Sequence, residues 1–343
     1  MRRVLLPHHI AADPAPAGAA VHSFAGHSMG TTWSVRLAAA PDKPVPEELQ
    51  ELLQQQLDIV VAEMSHWEAD SNLGRFNRAA AGTWHVLPRA FFDVLTYAVE
   101  VGRLSGDAYD PSAGNIVNRW GFGPSNGSLH YEDPAFTAPA PDEVERLRAQ
   151  RLASRIQLDP DRKRAYQPGR VQLDLSAVAK GYSVDRLAYF LSHHGVKHFL
   201  AEVGGELRGA GMRPDGQPWW VELEPLPDSG LPGMVLALHG LSVATSGDYR
   251  KFFMHGGQRY AHTIDPRTAM PVANGLASVT VVHPQCMAAD AWSTALTVLG
   301  PQHGLAMAER QGLAARFVLR DGDGPACTEL ISSAMQAMLD EDE

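Results

Sequence analysis

Apolar side chains recur along this chain at two spacings, one typical of helices and one typical of strands. Between residues 44 and 64, the apolar positions Leu49, Leu53, Leu57 and Val60 fall on one face of a helix, which predicts an amphipathic helix packed on a core. Helical spacing or a helix-favouring composition predicts further helices over 89–105, 142–151, 177–194, 288–299 and 302–311. Gly195 follows the helix at 177–194 as its expected C-cap.

Strands are predicted where apolar and polar side chains alternate or β-branched residues cluster. These runs cover 28–37, 154–158, 165–166, 171–173, 196–203, 219–223, 234–238, 242–245, 259–264 and 277–282. Many of them follow one another without an intervening helix, so the pattern favours an α+β fold with mainly antiparallel sheets flanked by helices. The segment 123–141 is rich in Gly, Pro, Ser and Asn and is predicted to be a loop.

The N-terminal segment differs in composition from the rest of the chain. Residues 1–22 are rich in Pro, Ala and His, which predicts a mobile N-terminal arm. Residues 23–343 contain no internal repeat and no linker, so a single domain is expected there. Pro7 and two histidines interrupt the first apolar stretch, so no signal peptide is indicated and we expect a cytoplasmic protein. A misassigned start would leave export open, and no apolar run approaches the length of a transmembrane helix.

Composition narrows the class of partner. The chain has 343 residues, of which 45% are hydrophobic and 20% charged, with a formal net charge of −10. These values are typical of a globular protein with a large core. A nucleic-acid partner is not expected, because no basic stripe is evident.

Asp290 and Thr294 are the first candidate for chemistry. They stand four residues apart in an apolar helical run, so their oxygens project from one face. A carboxylate and a hydroxyl, with no His or Cys nearby, suit Mg²⁺ or Ca²⁺ better than zinc. The alternative is structural: an Asp near the start of a helix beside a Thr that bonds back to a carbonyl.

Three other places carry candidate site residues, each with a structural alternative. Asp174 and Lys180 lie where a strand passes into a helix, a junction that could bind an anion, although a capping Asp and a surface Lys would look the same. Gly204-Gly205 could approach a ligand or simply form a turn, and its surroundings do not fit a dinucleotide-binding fingerprint. His262 could accept a proton near neutral pH or serve packing.

Six segments, in order, resemble the ApbE family of FAD:protein FMN transferases, which are Mg²⁺-dependent flavin-trafficking enzymes. The segments are His27–Trp33, Met64–Asn77, Tyr109–Gly123, Leu173–Asp185 with Val203–Glu206, Ala244–Tyr249 leading to His262–Thr268, and Asp290–Thr294. The resemblance runs from about residue 24 to about residue 320. It implies an ApbE-like, T-fold-like α+β architecture.

The resemblance also implies an activity and a set of site residues. The FMN part of FAD would pass to a Thr or Ser hydroxyl of an acceptor protein, and AMP would leave. The implied metal ligands are Asp290, Thr294, the carbonyl of Ala177 and, more weakly, Ser293. The implied FAD contacts are Met29, Trp67, Ala108, Tyr109, Asp110, Asp174, Lys180, Gly204, Gly205 and Ile264. His262 and Asp290 are the catalytic candidates, and Trp120 and Phe122 are assigned to packing.

Two departures from the family pattern keep alternatives open. The family usually has Asp where this chain has Glu206, and commonly has Gly where Ala269 follows Asp265-Pro-Arg-Thr268. If residue 269 needs a positive φ, Ala would cost about 1 kcal/mol or more relative to Gly. One alternative function is an FAD pyrophosphatase that releases FMN and AMP, and another is a non-catalytic FAD-binding carrier.

Overall fold

Helices and strands account for most of the described chain. The computed structural model describes residues 2–10, 13–124, 129–226, 229–249, 251–322 and 326–340. The helices are α1 Leu49–Met64, α2 Asn72–Asn77, α3 Arg89–Leu104, α4 Gly114–Arg119, α5 Pro141–Ala153, α6 Ser176–His193, α7 Cys286–Gln311 and α8 Ser333–Gln336. The strands are β1 Arg3–Leu5, β2 Ala20–Ser28, β3 Thr31–Ala39, β4 Thr83–Val86, β5 Gln157–Asp159, β6 Arg164–Gln167, β7 Phe199–Val203, β8 Glu206–Ala210, β9 Trp219–Glu222, β10 Met234–Leu238, β11 Leu241–Gly247, β12 Phe252–His255, β13 Gln258–Ala261, β14 Ile264–Asp265, β15 Met270–Pro271, β16 Leu276–His283, β17 Ala314–Arg320 and β18 Cys327–Ile331.

A large antiparallel sheet organises the molecule. Its eight strands lie in the order β18-β17-β16-β11-β8-β7-β3-β2, and every neighbouring pair is antiparallel. Smaller sheets, β1-β10-β9 and β4-β6-β5, and two hairpins, β12-β13 and β14-β15, complete the strands of the described chain. The prediction of an α+β fold with mainly antiparallel sheets is therefore confirmed.

The two faces of the large sheet bury different layers. On one face, α1 and α6 cover β3 and β7 through Leu53, Leu57 and Leu187, and α3 and α7 cover β11, β16 and β17. On the other face, the β1-β10-β9 sheet and the region of α8 contribute Leu236 and Met335 to a second layer. Alternate side chains of each strand enter opposite layers, as the pleat requires.

Several predicted boundaries needed correction. The strand at 28–37 is interrupted by a tight turn at Met29-Gly30, with φ of 53° and 70°, because these two residues connect β2 to β3. The helices at 288–299 and 302–311 are one helix, α7, kinked at Gly300, whose φ is 77°. Residues 171–173 form no strand, only an isolated bridge from Gln172 to Ala113.

The N-terminal segment differs from the predicted arm. Arg3–Leu5 pairs in parallel with Met234–Leu236, and the Leu5 side chain is fully buried. The prediction of an arm over 1–22 was wrong for these residues, because a short strand adds to an edge that local composition does not reveal. In the predicted loop at 123–141, residues 129–140 contain no helix or strand, and residues 125–128 lie outside the described part of the chain.

Candidate active site

The contact between α6 and α7 fixes the carboxylate of Asp290. A Cβ at Gly181 would collide with the Cys286 carbonyl oxygen and come within 2.8 Å of the Asp290 Cβ. Glycine thus allows the two helices to touch, and the Gly181 amide donates to Asp290 Oδ2 over 2.9 Å. Asp290 is only 3% exposed, and burial raises its pKa although Lys180 and the Gly181 amide oppose this.

Three hydroxyl groups converge one helical turn along α7 from Asp290. Ser246, on β11, places its Oγ 2.8 Å from Ser293 Oγ and 3.0 Å from Thr294 Oγ1. Ser293 Oγ also donates to the Asp290 carbonyl over 2.9 Å. The structural alternative for Thr294 assumed a bond back to a carbonyl, whereas its hydroxyl pairs with a residue from another element. The hydroxyl oxygens of Ser293 and Thr294 therefore lie on the same helix as the carboxylate and within about one turn of it.

Ala177 sits at an irregularity in α6. Its φ of −93° and ψ of 21° depart from helical values. The Gly181 amide, four residues further on, is the expected helical donor to the Ala177 carbonyl, and it donates to Asp290. The helix distortion and the buried carboxylate are therefore parts of one arrangement.

Lys180 forms an ion pair with Glu206 at the end of the β7–β8 turn. Lys180 Nζ bonds Glu206 Oε1, and Glu206 is almost fully buried. The pKa of Lys180 is raised, since the charges of Glu206 and Asp290 outweigh its burial. Burial raises the pKa of Glu206 more than Lys180 lowers it. The side chain that departs from the family pattern thus has a defined role in holding Lys180.

Gly204 and Gly205 make the tight turn that precedes Glu206. Their φ values are 64° and 102°, in the region that favours glycine. A Cβ at Gly204 would lie 2.9 Å from Thr31 Cγ2. The turn alternative is therefore confirmed, and a ligand role for the same backbone stays a prediction.

Asp174 lies just before α6 and accepts hydrogen bonds from its first residue. Its Oδ1 accepts from the Ser176 amide at 2.8 Å and the Ser176 hydroxyl at 2.6 Å, and His66 Nδ1 lies 3.6 Å away. Burial would raise the pKa of Asp174, but His66 and the bonds from Ser176 more than compensate, so the pKa is lowered. Asp174 is thus an ionised group at the helix entrance, as the capping alternative also expected.

Ala108, Tyr109 and Asp110 line the same region from the segment after α3. Ala108 and Tyr109 are buried, and burial together with the charges of Asp290, Asp174 and Asp110 raises the pKa of Tyr109 well above its usual value. Asp110 Oδ2 accepts from Arg151 Nε at 2.5 Å. This ion pair holds the Asp110 carboxylate, so it is not a free anion.

The remaining predicted flavin contacts come from three separate elements. Met29 is half-buried in the β2–β3 turn, and Ile264 is buried against Trp120 and Ala269. Trp67 is 55% exposed. Its ring centroid lies 5.6 Å from that of His66, and the two rings are tilted by 44°. A large indole left this open offers a free face for a flat ring.

His262 is held by the backbone of Lys251. Its amide donates to the Lys251 carbonyl over 3.1 Å, and its Nδ1 lies 3.2 Å from the same oxygen. A carbonyl only accepts, so Nδ1 carries the hydrogen and Nε2 keeps a free lone pair. Burial lowers the pKa of His262 to about 4; the hydrogen bond to the Lys251 backbone opposes this shift, and the charges of Lys251 and Lys180 add to it.

An aromatic cluster surrounds the base of this segment. Trp120 stacks on Tyr260 at 5.3 Å, and its Nε1 donates to the Ala269 carbonyl over 2.9 Å. Phe122 lies edge-on to His262 at 6.3 Å. The assignment of Trp120 and Phe122 to packing is confirmed.

Several of these groups shift one another's pKa. The charge of Lys180 lowers the pKa of His262, and that of protonated His262 lowers the pKa of Asp174. Tyr109 is affected by both Asp290 and Asp174. No group of three or more His, Cys, Asp or Glu in the described ranges is arranged to hold a metal ion, so the candidate ligand set relies on a single carboxylate.

Sequence reasoning missed Gly181, Ser246 and His66 as contributors. All three lie in segments that carried the family resemblance, and Gly181 directly follows Lys180. A serine or glycine gives no chemical signal by itself, so only the pairing of α6, α7 and β11 reveals their contacts.

Most of this chain is similar to proteins of one known family. A sequence profile of the ApbE family matches residues 29–317. The FAD:protein FMN transferase of Salmonella typhimurium is 34% identical over 319 residues, covering 91% of this chain and 89% of that protein. The FAD:protein FMN transferase of Escherichia coli K12 is 31% identical, covering 92% and 90%.

Solved structures give the same relationship. The apo form of the flavinyl transferase ApbE of Pseudomonas stutzeri superposes with a TM-score of 0.82 at 33% identity, covering 93% of this chain and 97% of that chain. The flavin transferase ApbE of Vibrio cholerae superposes with a TM-score of 0.81 at 29% identity, covering 93% and 99%. No helix in the described residues is long and apolar enough to cross a membrane.

Proposed function

The chain belongs to the ApbE family and transfers FMN from FAD to an acceptor protein, and we propose that it does so with Mg²⁺ bound at Asp290. In this proposal the acceptor group is a Thr or Ser hydroxyl. The observation that carries the proposal is the buried Asp290 carboxylate one helical turn from the hydroxyls of Ser293 and Thr294, which Ser246 contacts from β11.

The donor set fits a hard divalent cation. Asp290 would supply the only charge, and Thr294, Ser293 and the Ala177 carbonyl would supply neutral oxygens. Burial raises the pKa of Asp290 and so disfavours its charged form. A bound cation would compensate this buried charge. Bound Mg²⁺ would neutralise the charge that develops on the pyrophosphate oxygens.

Residues of the chain would do the remaining work. Lys180, held by Glu206, adds a positive charge near the phosphates, and the rings of Trp67 and Tyr109 bound the flavin side. The acceptor hydroxyl oxygen forms a bond to the FMN-side phosphorus while the bond from that phosphorus to the bridging oxygen breaks. AMP leaves with the bridging oxygen, and Nε2 of His262 takes the hydroxyl proton before passing it to solvent.

Asp290→Asn tests the metal assignment. Asparagine keeps the size of the side chain and an oxygen that can accept from the Gly181 amide, but it removes the charge. We expect Mg²⁺-dependent AMP release and covalent flavin on the acceptor to be lost, with the melting temperature nearly unchanged. Thr294→Val should weaken Mg²⁺ binding less, since a neutral hydroxyl contributes less than a carboxylate. Asp142→Asn, on the exposed side of α5, is the matched control.

In-gel flavin fluorescence and chromatography of FMN and AMP separate the outcomes. Native Mg²⁺ dependence in Asp290→Asn would place the metal elsewhere. FMN and AMP released rapidly without acceptor would favour the pyrophosphatase. Intact FAD after incubation with Mg²⁺ and several acceptors would favour the carrier.

A further inference from the structure

The hairpin β12–β13 has two faces of different character. Phe253 and Tyr260 stack at 5.2 Å and turn inward onto the aromatic cluster around Trp120. Phe252 and Met254 alternate with Phe253 and project from the opposite face, where they are 37% and 59% exposed. The inner face anchors the hairpin, so the apolar outer face is not needed to hold it in place.

The same hairpin is positively charged within an acidic chain. Residues 251–261 contain Lys251 and Arg259 and no Asp or Glu, whereas the whole chain has a formal charge of −10. The Arg259 guanidinium lies 3.8 Å over the Phe252 ring, so charge and apolar surface coincide. Such a surface complements a segment that carries both apolar and acidic side chains.

The hairpin also begins at the proposed proton acceptor. Phe252 pairs with Ala261, and the next contact beyond this pair joins Lys251 to His262. Strand residues rise about 3.3 Å each, so the side chains of Phe252 and Met254 stand about 7 Å apart on one face. That spacing matches alternate side chains of an extended polypeptide lying along the outer face of the hairpin, whose first residue pair adjoins the Lys251–His262 contact.

We infer that the outer face of β12–β13, with Phe252 and Met254 at its centre, docks the acceptor protein through an extended segment bearing apolar and acidic side chains. This inference rests on the proposed transfer to a protein hydroxyl. FAD needs no such surface, because the groups assigned to it lie on other elements. The hairpin would bring the acceptor segment alongside the site and leave the FAD contacts unchanged.

The double variant Phe252→Ser, Met254→Ser tests the docking face. Removal of a central apolar anchor commonly weakens an interface about tenfold or more. We expect the KM for the acceptor to rise at least about tenfold, while FAD affinity and the kcat at saturating acceptor stay within about twofold. Tyr189→Ser, which removes a 72% exposed side chain from α6, is the matched control and should leave all three unchanged.

Charge is tested at the tip of the hairpin. His255 faces Gln258 across the two strands, and both are exposed. His255→Glu with Gln258→Glu should raise the acceptor KM, and added salt should reduce the effect, since salt screens exposed charges. His255→Gln should behave like the wild type.

Binding of the acceptor to the inactive Asp290→Asn protein separates this inference from the proposed function. The probe is the acceptor domain used in the transfer assay, and calorimetry gives its Kd. A weaker Kd after Phe252→Ser and Met254→Ser supports docking whether or not the wild type transfers FMN. An unchanged Kd, or a loss confined to kcat, would overturn the docking face.

Discussion

Burial sets the protonation state of His262. The imidazole lies against Phe122 and the Lys251 carbonyl, and its pKa is lowered to about 4. At neutral pH the ring is therefore uncharged, with Nε2 able to accept a proton. A solvent-exposed histidine would be partly protonated near its ordinary pKa of about 6.5.

His262→Gln should lower FMN transfer about 10²-fold or more, the scale of losing a general base. FAD affinity should change little, because in the proposed mechanism His262 contacts the reacting hydroxyl and not the flavin. Rate measurements from pH 4 to 8 should place the acid limb of the wild-type profile nearer pH 4 than 6.5, and the variant should lack that limb. A variant with normal rates and a lower melting temperature would assign His262 to packing.

The same shift predicts how stability depends on pH. The folded-state pKa lies below the unfolded value of about 6.5, so the unfolded chain gains a proton first as pH falls. The stability contribution of neutral His262 is complete above about pH 6.5 and is lost as pH falls towards 4. Urea unfolding at several pH values should show a smaller loss over this window for His262→Gln than for the wild type.

Ala269 occupies a backbone conformation that favours glycine. Its φ is 58° and it is fully buried. Residue 269 therefore has the positive φ for which the family commonly uses glycine. Left-handed geometry costs an L-residue about 1–2 kcal/mol. The methyl group offsets part of that cost through its contacts with Trp120 and Ile264.

Ala269→Gly should change the free energy of unfolding by less than about 1 kcal/mol. Relief of about 1–2 kcal/mol of backbone strain opposes the loss of a buried methyl, about 0.8 kcal/mol, and the entropy of glycine, about 0.5–1 kcal/mol. Ala295→Gly, fully buried in helical α7, should cost at least about 1 kcal/mol. Equal losses at both sites in urea unfolding would contradict the strain at Ala269.

At the level of elements, the α6–α7 contact links packing to the proposed metal site. Gly181 is the point of closest approach, and its amide holds Asp290. Asp185, one turn further along α6, accepts from the amides of Cys286 and Met287 at 3.0 and 2.9 Å. These bonds satisfy amides at the start of α7 that have no partner within the helix.

Gly181→Ala should separate the two helices. Its Cβ meets backbone atoms of Cys286, which cannot rotate away, so overpacking should cost about 1–3 kcal/mol. Mg²⁺ affinity should fall as well, because the Asp290 carboxylate loses its anchor. Ser192→Ala, at an exposed position of the same helix, should leave both quantities unchanged. If the Gly181→Ala protein were less stable but bound Mg²⁺ with normal affinity, the helix contact would not determine metal binding.

Across the whole molecule, the two ends of the chain stabilise each other. The Leu6 amide donates to the Met338 carbonyl over 2.7 Å, and the Asp340 amide donates to the Val4 carbonyl over 3.0 Å. Leu5 enters the layer beneath the large sheet together with Met338. The N-terminal strand is therefore part of the core and not an appendage.

Leu5→Ala should lower the free energy of unfolding by about 2–5 kcal/mol, the range for a buried leucine. FMN transfer by the folded fraction should be normal, because Leu5 lies on the face of the sheet opposite α6 and α7. Val21→Ala, at a position 44% exposed on β2, should stay within about 0.5 kcal/mol of the wild type. A cost for Leu5→Ala no larger than that of the control would show that β1 does not support the fold.

The helices and strands differ in how well their local sequence predicts them. The helix at 89–105 and the strand at 234–238 were predicted almost to the residue, since each has a complete apolar pattern of its own. The strand Arg3–Leu5 and the hairpin strand Glu206–Ala210 were missed. Their stability depends on partners far along the chain, which local periodicity does not contain.

The sequence by itself determined the α+β class, the family and the residue types of the site, because periodicity and ordered motifs are properties of the chain. The tertiary structure decided which groups meet. It brought Ser246 to Thr294, Gly181 to Asp290 and Glu206 to Lys180. The protonation of the site residues also depends on the fold. The pKa values of His262 and Asp290 depend on burial and on charges from other elements, and both arise only when the chain is folded.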